Sequence, residues 1–188
     1  LLNAAAVALE QKIDAKPAVH DVFVYIMDRL RGYYQDKGVD VDLIDAVLAT
    51  RPTRLMDLDQ RLKACQAFRS LPEASSLAAA NKRISNILKK TDEPIPAEVD
   101  TSKLVDSAEK QLATVLQKLN DEVVPLMDAG DYTPALTRLA ALRESVDAFF
   151  DEVMVMVDDD ELRANRLALL RNLGGLFLRV ADLSRLQS

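Results

Sequence analysis

Tryptophan is absent from this chain of 188 residues, and cysteine and histidine occur once each. One cysteine cannot close an internal disulfide, and one cysteine with one histidine cannot supply the three or four ligands of a usual zinc site. Glycine and proline are also scarce, at 5 and 7 residues, while 49% of the residues are hydrophobic and 29% are charged. This composition excludes a disordered or fibrous chain and favours helices.

Long apolar runs are missing as well, since no stretch approaches the roughly 18 to 20 residues that a membrane span needs. The Ala-rich stretch that opens at Leu1 has no charged region before it, as a signal peptide would. We therefore expect a cytoplasmic protein without a membrane anchor or signal peptide. Because the first residue is not Met, we also expect either a processed chain or a segment of a longer one, and we favour the segment.

Positive charge is in deficit, with 24 basic residues against 30 acidic ones and a formal net charge of -6. A negative net charge argues against a protein that binds nucleic acid non-specifically over its whole surface. It leaves room for a local basic face.

Apolar residues recur at helical spacing through nearly the whole chain, which predicts an all-α fold, a bundle of about six to eight helices. Strict alternation is confined to 153–157, where a lone strand would have no partner. Turn and capping residues set the expected boundaries. The first helix ends near Gly38, and later helices cover about 41–49, 55–68, 72–90, 104–127, 134–152 and 159–186.

Capping residues are predicted at the starts of four helices. Thr53 and the pair Thr133-Pro134 suit helix starts, and Pro72 suits a first helical position. Asp158 with Glu161 matches a capping box with Asp in place of Ser or Thr.

The clearest loop is 91–100, with prolines at positions 94 and 96. We expect a single helical domain over 1–188, or two subdomains, 1–90 and 101–188, joined by this loop.

Residues that could carry chemistry are few. There is no Gly-rich phosphate loop and no Ser-His-Asp or Cys-His set at a recognisable spacing, so we expect no catalytic residue and no metal site. Cys65 is predicted to be a core residue. Arg166 is predicted to form a partly buried ion pair with Asp147 or Asp151. Gly174-Gly175, inside a helix, predicts close packing of a neighbouring helix or a small kink.

The most informative segment is 80–90, which has four basic residues and no acidic one. At 100° per residue, one set of its side chains falls within about 120° of arc, and the apolar positions lie opposite. That set is Lys82, Arg83, Asn86, Lys89 and Lys90.

Two interpretations of this basic face stay open. It is either a solvated face whose last lysines complement the helix dipole, or a contact for RNA. Cations neutralise phosphates, while Asn81 and Asn86 could pair with the base edges that single-stranded loops expose. Arg51 and Arg54 could join the site. Tyr33 and Tyr34 could stack on bases, although we expect at least one of them to be buried.

Four segments together resemble a known family, the C-terminal anticodon-binding domain of the bacterial glycyl-tRNA synthetase β subunit. The resemblance extends from about Val22 to Gln187, and the end of arginyl-tRNA synthetase is similar more loosely. The segments are 49–53 (ATRPT), 77–88 (LAAANKRISNIL), 149–157 (FFDEVMVMV) and 163–170 (RANRLALL).

The resemblance implies a non-catalytic helical domain that binds the anticodon region of glycine tRNA, whose anticodon shares two cytosines. It also implies the remainder of the β subunit and an α subunit as partners in an α2β2 enzyme that uses ATP and Mg²⁺. We expect no cofactor in this chain. The expected RNA contacts are Asn81, Lys82, Arg83, Asn86 and Lys89, followed by Arg51, Thr53 and Arg54. The alternative function is a helical protein-interaction module that does not bind RNA.

Overall fold

The computed structural model describes Ala4 and residues 16–186, and these residues contain helices and no strand. The prediction of an all-α bundle is confirmed. The α-helices between positions 16 and 178 are α1 (Lys16–Asp36), α2 (Val41–Leu48), α3 (Leu55–Arg69), α4 (Ala74–Lys89), α5 (Ser107–Ala129), α6 (Tyr132–Leu139), α7 (Arg143–Glu152) and α8 (Asp160–Leu178). Short 3₁₀ turns occupy Thr101–Lys103, Ala140–Leu142 and Leu183–Arg185.

Two compact units divide the chain, 1–45 and 46–188, and the boundary falls inside α2. In the first unit, α1 ends as predicted close to Gly38, which adopts a positive φ of 79°. Arg31 donates to Asp45 at 2.8 Å. The Ala-rich stretch after Leu1 lies outside the described residues, apart from Ala4.

The second unit is built around α8, which is buried on most of its surface. Helix α4 packs against α8 and α7, while α5 packs against α6, α7 and α8. Phe68 of α3 meets Phe177 of α8 with ring centroids 6.3 Å apart. The buried side chains of α8 include Leu167, Leu170 and Leu173, whereas Arg163 and Arg171 of the same helix donate to loop carbonyl oxygens.

Helix α8 ends at Leu178, eight residues before the predicted end at Leu186. The predicted boundary is wrong because α3 supplies partners for the carbonyl groups at this end. Arg61 of α3 donates from Nη1 to the carbonyl oxygens of Arg179 at 2.6 Å and Val180 at 2.9 Å. Those carbonyls need no further helical turn to be satisfied.

Several predicted caps are also wrong by one or two residues. Helix α3 is preceded by Arg54 rather than Thr53, and α6 by Asp131 rather than Thr133. At α8 the Asp159 carboxylate accepts from Leu162 N at 3.0 Å, so Asp159 rather than Asp158 is the cap. Pro72 lies in the turn before α4, which begins at Ala74. Each cap position depends on how the chain enters the packed unit.

The start of α5 is fixed by a buried ion pair that also corrects the partners expected for Arg166. Arg166 Nε donates to Glu109 at 2.7 Å and Nη2 donates to Asp106 at 2.6 Å. The expected partner Asp147 accepts a hydrogen bond from Ser76 instead. The Glu109 side chain is fully buried and that of Arg166 is 4% exposed. The prediction of an ion pair was right, and the predicted partner helix was wrong.

Two further expectations are confirmed within the second unit. A Cβ added at Gly174 would lie 3.3 Å from Ile84 Cγ2 of α4, so α4 and α8 approach closely there. The segment 153–157 is neither helix nor strand, and it alternates in burial, with Val153 and Val155 buried and Met154 exposed.

The loop 91–100 is free of helix and lies inside the second unit. Arg171 of α8 donates to the carbonyl oxygens of Ile95, at 2.9 Å, and of Pro96. The division into subdomains 1–90 and 101–188 stays a prediction. None of the described helices is long and apolar enough to cross a membrane.

Candidate nucleic-acid interface

Helix α4 presents one packed face and one solvent face. Its inner side chains Leu77 and Ile84 are 1% and 2% exposed. Burial of two such side chains contributes about 1.5 to 3 kcal/mol each, which holds α4 against α7 and α8. The opposite face is therefore fixed in its direction toward solvent.

The predicted basic face has the orientation expected from the helical wheel. All five of its residues are exposed: Lys82, Arg83, Asn86, Lys89 and Lys90. Its four cations form no ion pair with any residue that the structure describes. By contrast, the arginines of α8 that face loops or α5, such as Arg163 and Arg166, are held by carboxylates. The cations of α4 are thus available to an external anion.

Asn81 differs from the other candidates on α4, because it is 8% exposed. Its Nδ2 donates to the carbonyl oxygen of Leu77 at 2.9 Å, within the same helix. The amide is thus directed along the packed side of α4, where a buried polar group needs such a partner.

Arg83 lies beside the aromatic side chain of Phe150 on α7, and its Cζ is 4.3 Å from the ring centroid. Phe150 is half-buried and meets the fully buried Phe149 edge to face, with centroids 5.5 Å apart. One face of α4 is also tied to α7 by Ser76, which donates to Asp147 at 2.6 Å. The exposed cation–π contact contributes about 0.5 to 1 kcal/mol and orients the guanidinium.

The second group of candidates lies in the connection between α2 and α3. Arg51, Thr53 and Arg54 are all exposed, around a buried Pro52. Arg51 adopts a left-handed conformation with φ of 52°, which is uncommon for a residue with a Cβ. Among the described residues, no hydrogen bond or ion pair joins this group to the basic face of α4.

Other residues considered for function have clear places. Tyr34 is 8% exposed and Tyr33 is 50% exposed, so the expectation that at least one is buried is confirmed. Cys65 is completely buried, and burial raises the pKa of its thiol to about 12 against a smaller opposing effect of Arg61. It is a core residue, as predicted. In the described part of the chain, no group of three or more His, Cys, Asp and Glu could hold a metal ion.

Two residues that shape this region escaped the sequence interpretation. Phe150 directly follows Phe149, which is completely buried, and its side chain lies 100° further round the helix, so its place at the edge of the core could be predicted. The local sequence around Arg61 predicts only one of its partners, Asp57, four residues earlier. The Asp57 carboxylate accepts a hydrogen bond from Arg61 Nε at 2.9 Å. The carbonyl partners of Arg61 are more than 100 residues away in sequence.

Comparison with known proteins covers the same region. A family model described as the DALR anticodon binding domain matches residues 77–178, which contain α4 to α8. The chain is 55% identical over 187 residues to the glycine–tRNA ligase beta subunit of Aeromonas hydrophila, which covers 100% of this chain. It is 52% identical over 185 residues to that of Pseudomonas aeruginosa, and 56% identical over 167 residues to that of Shewanella denitrificans.

These relatives are longer than the chain. The match includes 100% of this chain for the Aeromonas protein and 98% for the Pseudomonas protein, but only 27% of the length of either relative. The matched segment includes the basic face of α4 and Phe150, while Arg51, Thr53 and Arg54 lie before it. The resemblance noted in the sequence is confirmed. By the extent of the match and the identity of its relatives, the chain belongs to the family of DALR anticodon binding domains.

Proposed function

We propose that this chain is the part of a glycine–tRNA ligase β subunit that binds the anticodon region of glycine tRNA. The observation that carries the proposal is the outward face of α4, whose four unpaired cations lie inside the segment matched by the anticodon-binding family. Cations on a rigid helix contact phosphates and fix the register of an RNA loop, and polar side chains between them contact base edges.

The proposed contacts are Lys82, Arg83, Asn86 and Lys89 on α4, with Arg51, Thr53 and Arg54 at the break between α2 and α3. All seven side chains are exposed. Asn81 ranks last, because its contact with RNA requires a buried amide to leave its bond to Leu77.

In this proposal, the remainder of the β subunit and an α subunit complete an α2β2 enzyme in the cytoplasm. The chain contributes tRNA selection and positioning, so that the distant acceptor end reaches the aminoacylation site of the α subunit. ATP and Mg²⁺ belong to the complete enzyme.

The direct test compares two tRNAs on the complete ligase, glycine tRNA and the same tRNA with both anticodon cytosines replaced, at two salt concentrations. Direct reading of the bases should favour the native tRNA by about 1 to 3 kcal/mol per base, and higher salt should weaken both complexes together. Equal affinity for the two tRNAs would show that the anticodon is not read. The comparisons give no support to the alternative, a protein-interaction module that does not bind RNA.

A further inference from the structure

We infer that Arg83 and Phe150 together form a stacking site for one unpaired base of the RNA, in which Phe150 orients the guanidinium of Arg83 and the guanidinium contacts the base. This inference rests on the proposed function. It assigns to Arg83 a different role from that of its neighbours Lys82 and Lys89, which contact phosphate.

The position of Phe150 supplies the first argument. The ring makes an edge-to-face contact with the buried Phe149. The Arg83 Cζ lies over the same ring, 4.3 Å from its centroid. An aromatic ring that is anchored in the core and covered by an arginine restricts that arginine to few rotamers. The guanidinium is therefore presented at a defined place before any RNA arrives.

The freedom of the guanidinium supplies the second argument. Arg83 is exposed, and it has no hydrogen-bonded or ion-paired partner among the described residues. Three arginines of the second unit have their donors occupied instead: Arg61 by carbonyl and hydroxyl oxygens, and Arg163 and Arg166 by carboxylates. Within the part of the chain that the structure describes, the Phe150 ring is the one interaction partner of the Arg83 guanidinium.

The chemistry of the group supplies the third argument. A guanidinium is planar and weakly hydrated, so it stacks on bases and can still donate hydrogen bonds at its edge. A lysine ammonium is a compact, strongly hydrated charge that attracts phosphate and does not stack. Arg83 is the single arginine on the basic face, between Lys82 and Asn86, and it is the one placed over a ring.

Four variants of the complete ligase separate stacking from charge. Arg83→Lys keeps the charge and loses the plane, whereas Arg83→Gln loses both. Phe150→Leu removes the ring that orients Arg83, and Phe150→Tyr retains it. Arg138→Lys, on the exposed surface of α6, is the matched control for an arginine-to-lysine change outside the interface.

The measurement uses glycine tRNA that carries 2-aminopurine at each unpaired position of the anticodon loop in turn, since stacking changes the fluorescence of this base. With the wild-type enzyme, we expect one position to change on binding. Arg83→Lys and Phe150→Leu should lose that change and weaken binding about 5- to 150-fold, the range for loss of one stacked base. Phe150→Tyr and Arg138→Lys should behave as the wild type.

The dependence of affinity on salt distinguishes the two roles of the basic face. Lys82→Gln should reduce the slope of log affinity against log salt by about 0.7, as expected for one lost phosphate contact to a single strand. Arg83→Lys should leave the slope unchanged. If Arg83→Lys binds like the wild type and Arg83→Gln loses affinity together with slope, Arg83 contacts phosphate and the stacking site is disproved.

The remaining outcomes separate this inference from the proposed function. Loss of affinity in Lys82→Gln and Lys89→Gln, with no effect of the Arg83 and Phe150 variants, would leave the interface in place and reject the stack. No effect of any of these variants would reject both. Since Phe150→Leu can disturb folding, its melting temperature is measured, and Arg83→Lys, at an exposed position, decides the question if Phe150→Leu unfolds.

Discussion

Arg166 and Glu109 form an ion pair with almost no access to solvent, and their surroundings show how such a pair is made favourable. Burial alone raises the pKa of the Glu109 carboxyl, but hydrogen bonds from Arg166 and from the backbone N–H groups of Asp106 and Val105 outweigh it. The pKa of Glu109 is therefore held below its ordinary value. Arg166 in turn donates to the carbonyl oxygen of Met154 at 2.7 Å, which joins α8, α5 and the 153–157 segment.

Replacement of Glu109 by glutamine should strongly destabilise the chain. The change leaves Arg166 buried with only the half-exposed Asp106 as a charged partner, and loss of one member of a buried pair costs about 3 to 5 kcal/mol. Urea unfolding measures this loss. Glu161→Gln, which removes the exposed partner of Lys103, is the matched control and should have a much smaller effect.

The lowered pKa of Glu109 also predicts the direction of a pH effect. Because the folded-state pKa lies below the unfolded-state value of about 4.3, the contribution of the carboxylate is complete above that value and is lost as pH falls through the folded-state pKa. The wild type should thus lose more stability than Glu109→Gln between about pH 6 and about pH 3. Equal losses in the two proteins would contradict this assignment.

Arg51 has an exposed side chain and a left-handed backbone conformation. Arg51→Gly removes the side chain and relieves the strain of that conformation. The left-handed conformation costs a residue with a Cβ about 1 to 2 kcal/mol, and the greater freedom of glycine in the unfolded chain offsets about 0.5 to 1 kcal/mol of the relief. The free energy of unfolding should stay unchanged or rise by up to about 1.5 kcal/mol, while tRNA binding weakens.

Arg54→Gly is the control for this change, because Arg54 is equally exposed but has an ordinary extended φ of -123°. It should weaken tRNA binding without any gain in stability. A clear loss of stability in Arg51→Gly would show instead that the Arg51 side chain supports the fold.

The α4–α8 contact determines where the candidate interface lies, and Gly174 allows that contact. The neighbouring Gly175 has no atom within 4 Å of an added Cβ, so the two glycines meet opposite environments within one helix. The scarcity of glycine in the chain makes this pair conspicuous in the sequence, which is why close packing could be predicted there. Which glycine faces the partner, and which helix is the partner, depended on the fold.

Alanine substitutions at the two glycines should differ in sign or size. Gly175→Ala should raise the free energy of unfolding by about 1 kcal/mol, since alanine favours the helix and meets no neighbour. Gly174→Ala has the same helical gain but crowds Ile84, which is buried, so overpacking of about 1 to 3 kcal/mol opposes it. Thermal unfolding of both variants measures the difference, and equal stability would contradict a tight α4–α8 contact.

The whole chain is acidic, yet its unpaired cations on α4 are concentrated on one face. Such a distribution suits a domain that attracts RNA at one place and repels it elsewhere, and it explains how a net charge of -6 is compatible with RNA binding. Affinity for the rest of the tRNA would come from the other parts of the ligase.

Charge reversal tests this distribution directly in the complete ligase. Lys82→Glu with Arg83→Glu should weaken tRNA binding and reduce its salt dependence, with nearly unchanged melting temperature because both side chains are exposed. Lys63→Glu with Lys118→Glu changes the net charge equally, at exposed positions on α3 and α5. It should leave binding close to that of the wild type, so that similar losses in both double variants would assign the effect to total charge alone.

The sequence by itself determined the helical class, the outward direction of Lys82 and Arg83, the burial of Cys65 and the family. The first three features follow from local periodicity and composition, because burying an apolar stripe directs the opposite face of a helix toward solvent wherever it packs. The family follows from the resemblance of four segments to known members. The tertiary structure alone decided the partners of Arg166, the end of α8 at Leu178 and the contact between Arg83 and Phe150. Each joins side chains or carbonyl groups that are distant in the chain, and helical periodicity sets the direction of a side chain but not which distant group it meets.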